Sequence, residues 1–343
     1  MVKRCKRCVQ TDTRPGIKFN EEGICYPCIS HEKREQIDWN ARWNELKQTC
    51  NLFRKNDGSY DCLITVSGGK DSTAQVGLFK EKLRMNPLCF MIDNGSWTKT
   101  GRENFYNLSK EFDVDVMTFT PSVKKMEEMT RKNFFEELWP SKYWDSLLYK
   151  KPLEIAKKLG IDFVIWGEDT SYFTGGGEWK ETADALKLVD AKTRITYQKL
   201  NVIFLSYYIP WSRYENLEYA KKHGFKTLED TKEWKRSGME GFEFEQVDTI
   251  GYLINQYCKF VKFGFSTQTE LCSDAIRNGK ISREIGMMMV NKYDWKLDEI
   301  MLDDFCKSIK ITRFDFFETI KKFINEEVLE IRGENLRLKK DAV

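Results

Sequence analysis

The stretch that decides the fold is Cys62-Leu63-Ile64-Thr65-Val66-Ser67-Gly68-Gly69-Lys70-Asp71-Ser72, where an apolar run stops at a polar, glycine-containing turn. The β-branched residues of the run predict a buried strand over 62–66. Apolar residues at helical spacing then predict a helix over 71–84. A strand, a glycine turn and a helix N-terminus bring backbone N–H groups together, so the sequence predicts a phosphate-binding site here.

This turn differs from an ordinary P-loop, which has four residues between its glycines and a Ser or Thr after Gly-Lys. Here Gly68 and Gly69 are adjacent, and Asp71 follows Lys70. An acidic residue beside a phosphate cradle suits a Mg²⁺ ligand for a bound nucleotide. The alternative is a structural turn in which Asp71 or Ser72 caps the helix.

Strands and helices alternate after this turn, which predicts an α/β fold with a doubly wound, parallel, five-stranded sheet. The predicted strands are 62–66, 88–93, 114–119, 163–167 and 202–208, and the further helices between them are 102–112, 123–138 and 147–159. Ligands of such sheets bind at the carboxyl ends of the strands, near the point where strand order reverses. We therefore expect the Ser67 turn, Asp93 and the loop Gly167-Glu168-Asp169 to converge on one crevice.

Each of these loops also has an ordinary structural interpretation. Asp93 precedes Asn94-Gly95, a sequence that favours an Asx turn. The adjacent carboxylates Glu168 and Asp169 suit a metal ligand and a general base, or else a solvated acidic loop or helix cap. The glycines Gly175–Gly177 that follow predict either a lid or an inert turn.

Four of the ten cysteines form a CxxC–x16–CxxC pattern at the N-terminus: Cys5, Cys8, Cys25 and Cys28. Paired CxxC motifs at this separation predict a structural, tetrahedral zinc site of the zinc-ribbon kind. Redox-active pairs, an iron–sulfur cluster and disulfides are the alternatives. The other six cysteines are isolated, and each is predicted to be a small buried side chain.

The bulk properties limit the functional classes. The 343 residues include 56 basic and 53 acidic ones, so the net charge of +3 gives no argument for binding nucleic acid or a membrane surface. No run of eighteen apolar residues and no signal sequence is apparent, which predicts a cytoplasmic protein. Only two histidines are present, so Ser–His and Cys–His nucleophilic triads have little support. No glutaminase motif is visible either.

The organisation along the chain predicts four regions. Residues 1–30 form the zinc module, and 31–57 a linker with an amphipathic helix. Residues 58–215 form the nucleotide-binding domain. Residues 216–343, rich in aromatic and charged residues, form a helical region that contributes contacts to substrate or partners.

The six residues Ser67–Ser72 resemble the signature of the PP-loop ATP pyrophosphatases, which include asparagine, GMP and NAD synthetases and tRNA-thiolating enzymes. The resemblance implies an adenine nucleotide alpha-hydrolase-like fold that cleaves ATP between the α and β phosphates and adenylates a carbonyl oxygen. It implies an ATP and pyrophosphate site formed by Ser67, Gly68, Gly69, Lys70, Asp71, Ser72, Asp93 and Gly167. Lys70, Asp71, Glu168 and Asp169 would be catalytic, with Asp71 and Asp169 as Mg²⁺ ligands and Glu168 deprotonating ammonium.

Nearly the whole chain is similar to the N-acetyl sugar amidotransferases of bacterial surface polysaccharide and nonulosonic-acid pathways. The similar segments are the cysteine module through Cys28, Ser67–Ser72, Ile92–Gly95, Trp166–Asp169, Tyr208–Trp211, Lys262–Gly264 and Asp274–Arg283. The resemblance implies conversion of a sugar acetamido group, on a nucleotide-linked sugar, to an acetamidino group. Ammonia would come from partners resembling the glutaminase and cyclase subunits of imidazole glycerol phosphate synthase. Lys259, Lys262, Arg277 and Arg283 would be candidate contacts for the sugar-nucleotide diphosphate.

The main alternative is a PP-loop enzyme that modifies tRNA, of the thiolase or lysidine-synthetase type. Two features argue against it: no CxxC pair follows the PP-loop, and no basic stripe marks a nucleic-acid surface. The cysteine module is compatible with both interpretations.

Overall fold

The structure is a computed structural model that describes residues 2–167, 185–188, 190–251, 253–332 and 335–339. Glu168, Asp169 and Gly175–Gly177 therefore lie outside the described residues. Among the described residues, no helix combines the length and the apolar character that a membrane crossing requires.

The centre of the molecule is a five-stranded parallel sheet, as predicted. Its strands are β1 (Cys62–Thr65), β2 (Pro87–Ile92), β3 (Asp115–Phe119), β4 (Phe163–Trp166) and β5 (Asn201–Phe204), arranged in the order β3-β2-β1-β4-β5. The chain moves outward from β1 in one direction to β2 and β3, and then returns to its other side for β4 and β5. The strand order thus reverses between β1 and β4, which is where ligands of such sheets bind.

Helices cover both faces of this sheet. Alternate residues of β1 point to opposite sides, so Ile64 packs in a core with Leu46 and Cys50, whereas Leu63 packs with Leu153 and Ala156. The helices that follow or precede the strands are α2 (Trp39–Phe53), α3 (Lys70–Gly77), α4 (Lys99–Phe112), α5 (Val123–Glu137), α6 (Lys142–Leu159) and α7 (Ala191–Tyr197). Burial on two faces explains why the inner strands β1, β2 and β4 are nearly continuous apolar runs rather than alternating patterns.

Two predicted elements end earlier than the sequence indicates. The predicted strand over 202–208 is wrong in its second half, because Leu205–Tyr208 forms a helical turn, α8. The reason is that β4 pairs with β5 only up to the register Trp166–Phe204, and a strand needs a partner to continue. The predicted helix over 71–84 is α-helical to Gly77 and continues as a π-helical turn over Leu78–Lys82.

The C-terminal region is helical, as predicted, and also contains a hairpin that the sequence reading did not include. Its helices are α9 (Arg213–Lys222), α10 (Leu228–Thr231), α11 (Ile254–Phe263), α12 (Thr267–Arg277), α13 (Arg283–Tyr293), α14 (Glu299–Ser308) and α15 (Arg313–Lys321). The antiparallel hairpin joins β6 (Leu329–Arg332) and β7 (Asn335–Leu338), and buries Leu329 and Leu336 against these helices.

The N-terminal module has little regular structure before α1 (Tyr26–Lys33). Two isolated bridges, Arg4–Thr11 and Phe19–Cys25, hold its loops together. The module packs on the C-terminal helices, because Val9 joins a core with Leu271 and Ala275 of α12 and Val290 of α13. The N-terminal module therefore packs against helices from the C-terminal region as well as against the residues that follow it in the sequence.

Candidate active site

The turn after β1 is held in shape by its own serines and by a glycine that no other residue could replace without strain. The Ser67 N–H donates a hydrogen bond to Ser72 Oγ at 2.9 Å. Gly68 has a φ of +81°, and a Cβ at this position would lie 2.7 Å from the carbonyl oxygen of Gly101 in α4. Gly69 then caps α3. The result is a tight strand–turn–helix connection whose helix N-terminus faces the carboxyl end of the sheet, a phosphate-binding arrangement.

A cavity of about 330 Å³ opens at this point, and we call it the β1–β4 cavity. It is lined by Ser67, Asp71 and Ser72 of the turn, and by Gly167 after β4. The cavity thus lies at the reversal of strand order. A Cβ on Gly167 would lie 1.9 Å from the Oε1 atom of Gln75, so a side chain at this position requires the Gln75 side chain to move.

Lys70 lies behind the cavity wall, with only 3% of its side chain exposed. Its ammonium group contacts Asp71 Oδ2 at 2.8 Å and Glu245 Oε1 at 2.9 Å. Burial alone would lower the pKa of Lys70, but the two carboxylates outweigh burial and raise it. Lys70 is therefore a charged group kept in a low-dielectric position, where its charge would act strongly on an anion bound in the cavity.

Glu245 joins two cations with one carboxylate oxygen. Its Oε1 atom lies 2.9 Å from Lys70 Nζ and 2.9 Å from Arg213 Nη1. Burial favours the protonated acid, but the charges of Lys70 and Arg213 dominate and lower the pKa of Glu245 to about 2. Glu245 therefore stays ionised at neutral pH and fixes the position of both cations.

Asp71 is more accessible than its neighbours and faces the cavity. Its two oxygens accept hydrogen bonds from different groups: Oδ2 from Lys70, and Oδ1 from the Asn216 amide at 2.7 Å. Asn216 lies on α9, so the carboxylate is oriented from outside the turn. An oriented, partly exposed carboxylate beside a phosphate cradle is suited to hold Mg²⁺.

The C-terminal region contributes two more acidic groups to the site. Asp274 of α12 forms an ion pair with Arg213, whose Nε atom lies 2.8 Å from Asp274 Oδ2, and Asp274 also lines the cavity. Asp248 shares a hydrogen bond with the side chain of Ser67. Burial raises the pKa of Asp248, although this hydrogen bond and the charges of Arg236 and Lys70 act in the opposite direction.

Sequence reasoning did not single out Arg213, Glu245, Asp248 or Asn216 as site residues. Arg213 follows the segment Tyr208–Trp211, and Asp274 opens the segment Asp274–Arg283, both of which carry the family resemblance. The position of Arg213 and Asp274 in or beside these segments was a signal that could have identified both residues. Glu245 and Asp248 lie in no such segment, and no local pattern indicates that they reach the turn.

Asp93 lies in a neighbouring cavity of about 290 Å³ at the carboxyl ends of β2 and β3, which we call the β2–β3 cavity. Its Oδ1 atom accepts hydrogen bonds from the Gly95 N–H and from Trp97 Nε1, both at 2.6 Å. The bond to Gly95 is the Asx turn expected as the ordinary interpretation. Contact of Asp93 with a nucleotide stays a prediction.

The four N-terminal cysteines lie together, with all four sulfur atoms within 4.8 Å of one another. The Cys5 and Cys28 sulfurs are 3.9 Å apart, and those of Cys8 and Cys25 are 3.6 Å apart. Ligands about 2.3 Å from a tetrahedral zinc ion are about 3.8 Å from one another, so the cluster fits zinc. All ten cysteines lie among the described residues, and none is in a disulfide.

The basic residues expected to bind a sugar nucleotide lie elsewhere than in the lining of the β1–β4 cavity. Lys259 pairs with Glu270 at 2.8 Å, and Lys262 donates a hydrogen bond to the Glu137 carbonyl. Arg283 donates from Nε to the carbonyl oxygens of Cys5 and Cys8 at 3.2 and 3.1 Å. Arg277 is near Asp274, at 3.7 Å. Their contact with substrate stays a prediction.

Comparisons with known proteins place one part of the chain in context. Residues 236–331 match the model of the family described as "LPS biosynthesis protein WbpG-like, C-terminal domain". An uncharacterized protein of Methanocaldococcus jannaschii is 25% identical over 282 residues, which cover 82% of this chain and 90% of that protein. The matched C-terminal domain contains Glu245, Asp248 and Asp274, the acidic residues that reach the turn and the cavity.

Three solved structures resemble this chain distantly. NMN synthetase from Francisella tularensis has a TM-score of 0.38 at 11% identity, covering 71% of this chain and 94% of that one. Phosphoadenylyl-sulfate reductase from Candida auris has a TM-score of 0.33 at 13% identity, covering 62% and 90%. A predicted subunit of tRNA methyltransferase from Methanocaldococcus jannaschii has a TM-score of 0.32 at 18% identity, covering 47% and 73%. No conclusion about this chain depends on likenesses this weak.

Proposed function

We propose that this protein is a PP-loop ATP pyrophosphatase that acts as an N-acetyl sugar amidotransferase in the synthesis of bacterial surface glycans. One observation carries the proposal. The Ser67–Ser72 turn opens into the β1–β4 cavity, and three residues that line the same cavity, Glu245, Asp274 and Asn278, lie in the region that matches the WbpG-like C-terminal domain. A phosphate-binding turn and a lipopolysaccharide-type domain thus form one site, which supports a reaction that uses both.

The reaction replaces the oxygen of an acetamido group with nitrogen. The amide oxygen attacks the α-phosphorus of ATP, the bond between this phosphorus and the bridging oxygen breaks, and pyrophosphate leaves. Ammonia then adds to the imidate carbon, AMP leaves with the former amide oxygen, and loss of a proton gives the acetamidino sugar. ATP, the acetamido sugar and ammonia are consumed, and AMP, pyrophosphate and the amidine are formed.

The residues of the turn would bind the leaving pyrophosphate. The backbone N–H groups at the start of α3 point toward the site, and negative charge is favoured there. Lys70 adds a buried positive charge whose counter-ions, Asp71 and Glu245, hold it in place before the phosphates bind. Stabilising charge that develops on a leaving group is often the largest contribution to such catalysis.

Mg²⁺ and ammonia would require further groups. Asp71 would hold Mg²⁺, and the ion would neutralise charge on the phosphates when bound. Asp169 as a second Mg²⁺ ligand and Glu168 as the base for ammonium remain part of the proposal. A separate glutaminase with a cyclase-like subunit would supply ammonia, since the sequence contains no glutaminase motif.

The decisive experiment uses UDP- and CMP-linked acetamido sugars labelled with ¹⁸O in the acetamido carbonyl. Purified protein, Mg·ATP and ammonium are added, and AMP, pyrophosphate and sugar masses are followed. We expect sugar-dependent AMP that carries the ¹⁸O label, because the adenylated oxygen leaves with AMP. Unlabelled AMP formed only in the presence of tRNA would indicate that the protein is a tRNA-modifying enzyme instead. ADP and phosphate as products would overturn the pyrophosphatase assignment.

A further inference from the structure

The cysteine module reaches the β1–β4 cavity through its own helix. Helix α1 begins directly after Cys25, contains Cys28 in its first turn and ends at Lys33. Arg34, the next residue, lines the cavity. One Arg34 Nη1–H also donates a hydrogen bond to the carbonyl oxygen of Trp211, which lies on the same wall, at 3.4 Å. The distance along the helix from the cysteine cluster to the cavity is thus only two turns.

A second connection runs from the same helix to the end of α12. His31 shares a side-chain hydrogen bond with Asn278, and Asn278 lines the cavity. The Asn278 amide in turn donates to the carbonyl oxygen of Asp274 at 2.9 Å. His31 of the module therefore contacts Asn278, which is itself hydrogen-bonded to the residue that carries the Asp274 carboxylate.

A third connection is electrostatic. Arg277 is largely buried, its Nη2 atom lies 3.7 Å from Asp274 Oδ1, and it interacts electrostatically with Cys8, Cys25 and Cys28. Asp274 in turn pairs with Arg213, which pairs with Glu245 and so with Lys70. Four thiolates around Zn²⁺ carry a net charge of −2, which would balance the buried guanidinium.

We propose that the cysteine module is part of the catalytic cavity, where it presents Arg34 to the phosphate groups of the bound ligand and fixes the wall that carries Asp274. This inference rests on the proposed function only for the identity of the ligand as ATP or pyrophosphate. Arg34 is a binding residue in this account. His31 and Arg277 are positioning residues that act through Asn278 and Asp274.

The start of α1 is held by the Phe19–Cys25 bridge and by a hydrogen bond from the Tyr26 N–H to the Lys18 carbonyl oxygen at 2.9 Å, and zinc would add a third anchor at the same point. The N-cap of α1 is Cys25, which makes no side-chain capping hydrogen bond. Binding of the cysteines to one ion fixes the start of the helix, and the helix then fixes Arg34 at its other end. A structural metal would thereby determine the geometry of a cavity residue without touching the ligand.

The first test compares Arg34→Gln with Lys33→Gln by calorimetry, using Mg·ATP and Mg·pyrophosphate as probes. Both variants remove one positive charge at the end of α1, but Lys33 is exposed and does not line the cavity. We expect R34Q to weaken binding of both probes roughly tenfold, as loss of a charge-assisted contact does, and K33Q to leave it unchanged. Zinc content and thermal midpoint are measured alongside, and Arg34→Lys replaces R34Q if the latter loses zinc or folds poorly.

The second test removes zinc with a chelator and follows hydrogen exchange. We expect faster exchange of the backbone amides over 274–278 and weaker binding of Mg·ATP by wild type, with little further weakening in R34Q. Wild-type affinity in R34Q with zinc bound would overturn the role of Arg34. Unchanged exchange over 274–278 after zinc removal would overturn the fixing of the wall. If the wild-type protein binds neither Mg·ATP nor Mg·pyrophosphate, both the inference and the proposed function fail. If wild type binds them but R34Q or zinc removal has no effect, the inference alone fails.

Discussion

Asp71 combines three properties that suit a metal ligand. It lines the β1–β4 cavity, its carboxylate is oriented by Lys70 and Asn216, and its side chain is 38% exposed. The buried Lys70 would, in the proposed function, hold charge near the phosphates, but it does not line the cavity. If the proposed function holds, this accessible carboxylate is the group that would exchange a protein partner for a metal ion when the nucleotide binds.

We predict that Asp71→Asn abolishes pyrophosphate release while leaving the fold intact. Asparagine keeps the shape and can still bond Asn216, but it lacks the negative charge that Mg²⁺ requires. The measurement is pyrophosphate formation from Mg·ATP, with circular dichroism as the check on folding. Asp162→Asn, the same change at an exposed position at the opposite edge of the sheet, serves as the control. Wild-type turnover in D71N would contradict the metal assignment.

Glu245→Gln should destabilise the protein in a manner that depends on pH. The folded-state pKa of Glu245 is about 2, below the unfolded value of about 4.3, so its ionisation stabilises the native state above pH 4.3. That stabilisation is lost as pH falls toward 2. We expect E245Q to lower the free energy of unfolding by about 3 kcal/mol at pH 7. This value is at the low end for a broken buried ion pair, because Lys70 still forms its ion pair with Asp71 in the variant.

Urea denaturation of wild type and E245Q at several pH values measures this. The difference between the two proteins should be constant from pH 7 to 5 and shrink below about 4.3. Glu318→Gln removes an exposed pair with Lys321 and should cost less than about 1 kcal/mol at any pH. A difference that stays the same at pH 4 and below would show that Glu245 titrates normally.

At the scale of elements, the connection between β1 and α3 depends on the close approach of Gly68 to α4. We predict that Gly68→Ala abolishes ATP binding and lowers stability by more than Gly160→Ala does. Both glycines have positive φ, +81° and +66°, so both substitutions incur the backbone cost of about 1–2 kcal/mol. Only at Gly68 would the new methyl group also meet another backbone, the Gly101 carbonyl; nothing lies within 4 Å at Gly160.

Thermal unfolding and calorimetric ATP titration of the two variants test this prediction. Gly160→Ala should bind ATP as wild type does, since residue 160 ends α6 at the amino side of β4, away from the cavity. Equal losses of stability and equal affinities in the two variants would show that the contact with α4 does not constrain the turn.

The elements that sequence reasoning predicted are those that local patterns determine. An apolar run and a glycine pair are adjacent in sequence, so β1 and its turn could be identified directly. The length of β5 could not, because it depends on where its partner β4 ends. Glu245 could not be placed at the turn either, since its contact with Lys70 joins distant parts of the chain, and periodicity carries no information about such contacts.

At the scale of the whole molecule, the largest hydrophobic core crosses the domain boundary predicted at residue 215. Phe134 of α5 stacks on Phe316 of α15 at 5.3 Å and meets Phe305 of α14 at 5.1 Å. Leu217 and Val2 belong to the same core. Helix α5, which follows β3, and the C-terminal helices thus share buried surface, in addition to the ion pairs at the cavity.

A shared core predicts a single cooperative unfolding transition instead of two. We expect calorimetric and van't Hoff enthalpies to agree, and Phe134→Ala to destabilise the sheet and the C-terminal helices together by about 3–5 kcal/mol. Hydrogen exchange over 62–65 and 299–308 reports the two regions separately. Phe314→Ala, the same change at a 73% exposed position of α15, should cost less than about 0.5 kcal/mol. Two separate transitions, with F134A shifting only one, would mean that the C-terminal region folds by itself, and the cavity would then form between two independent units.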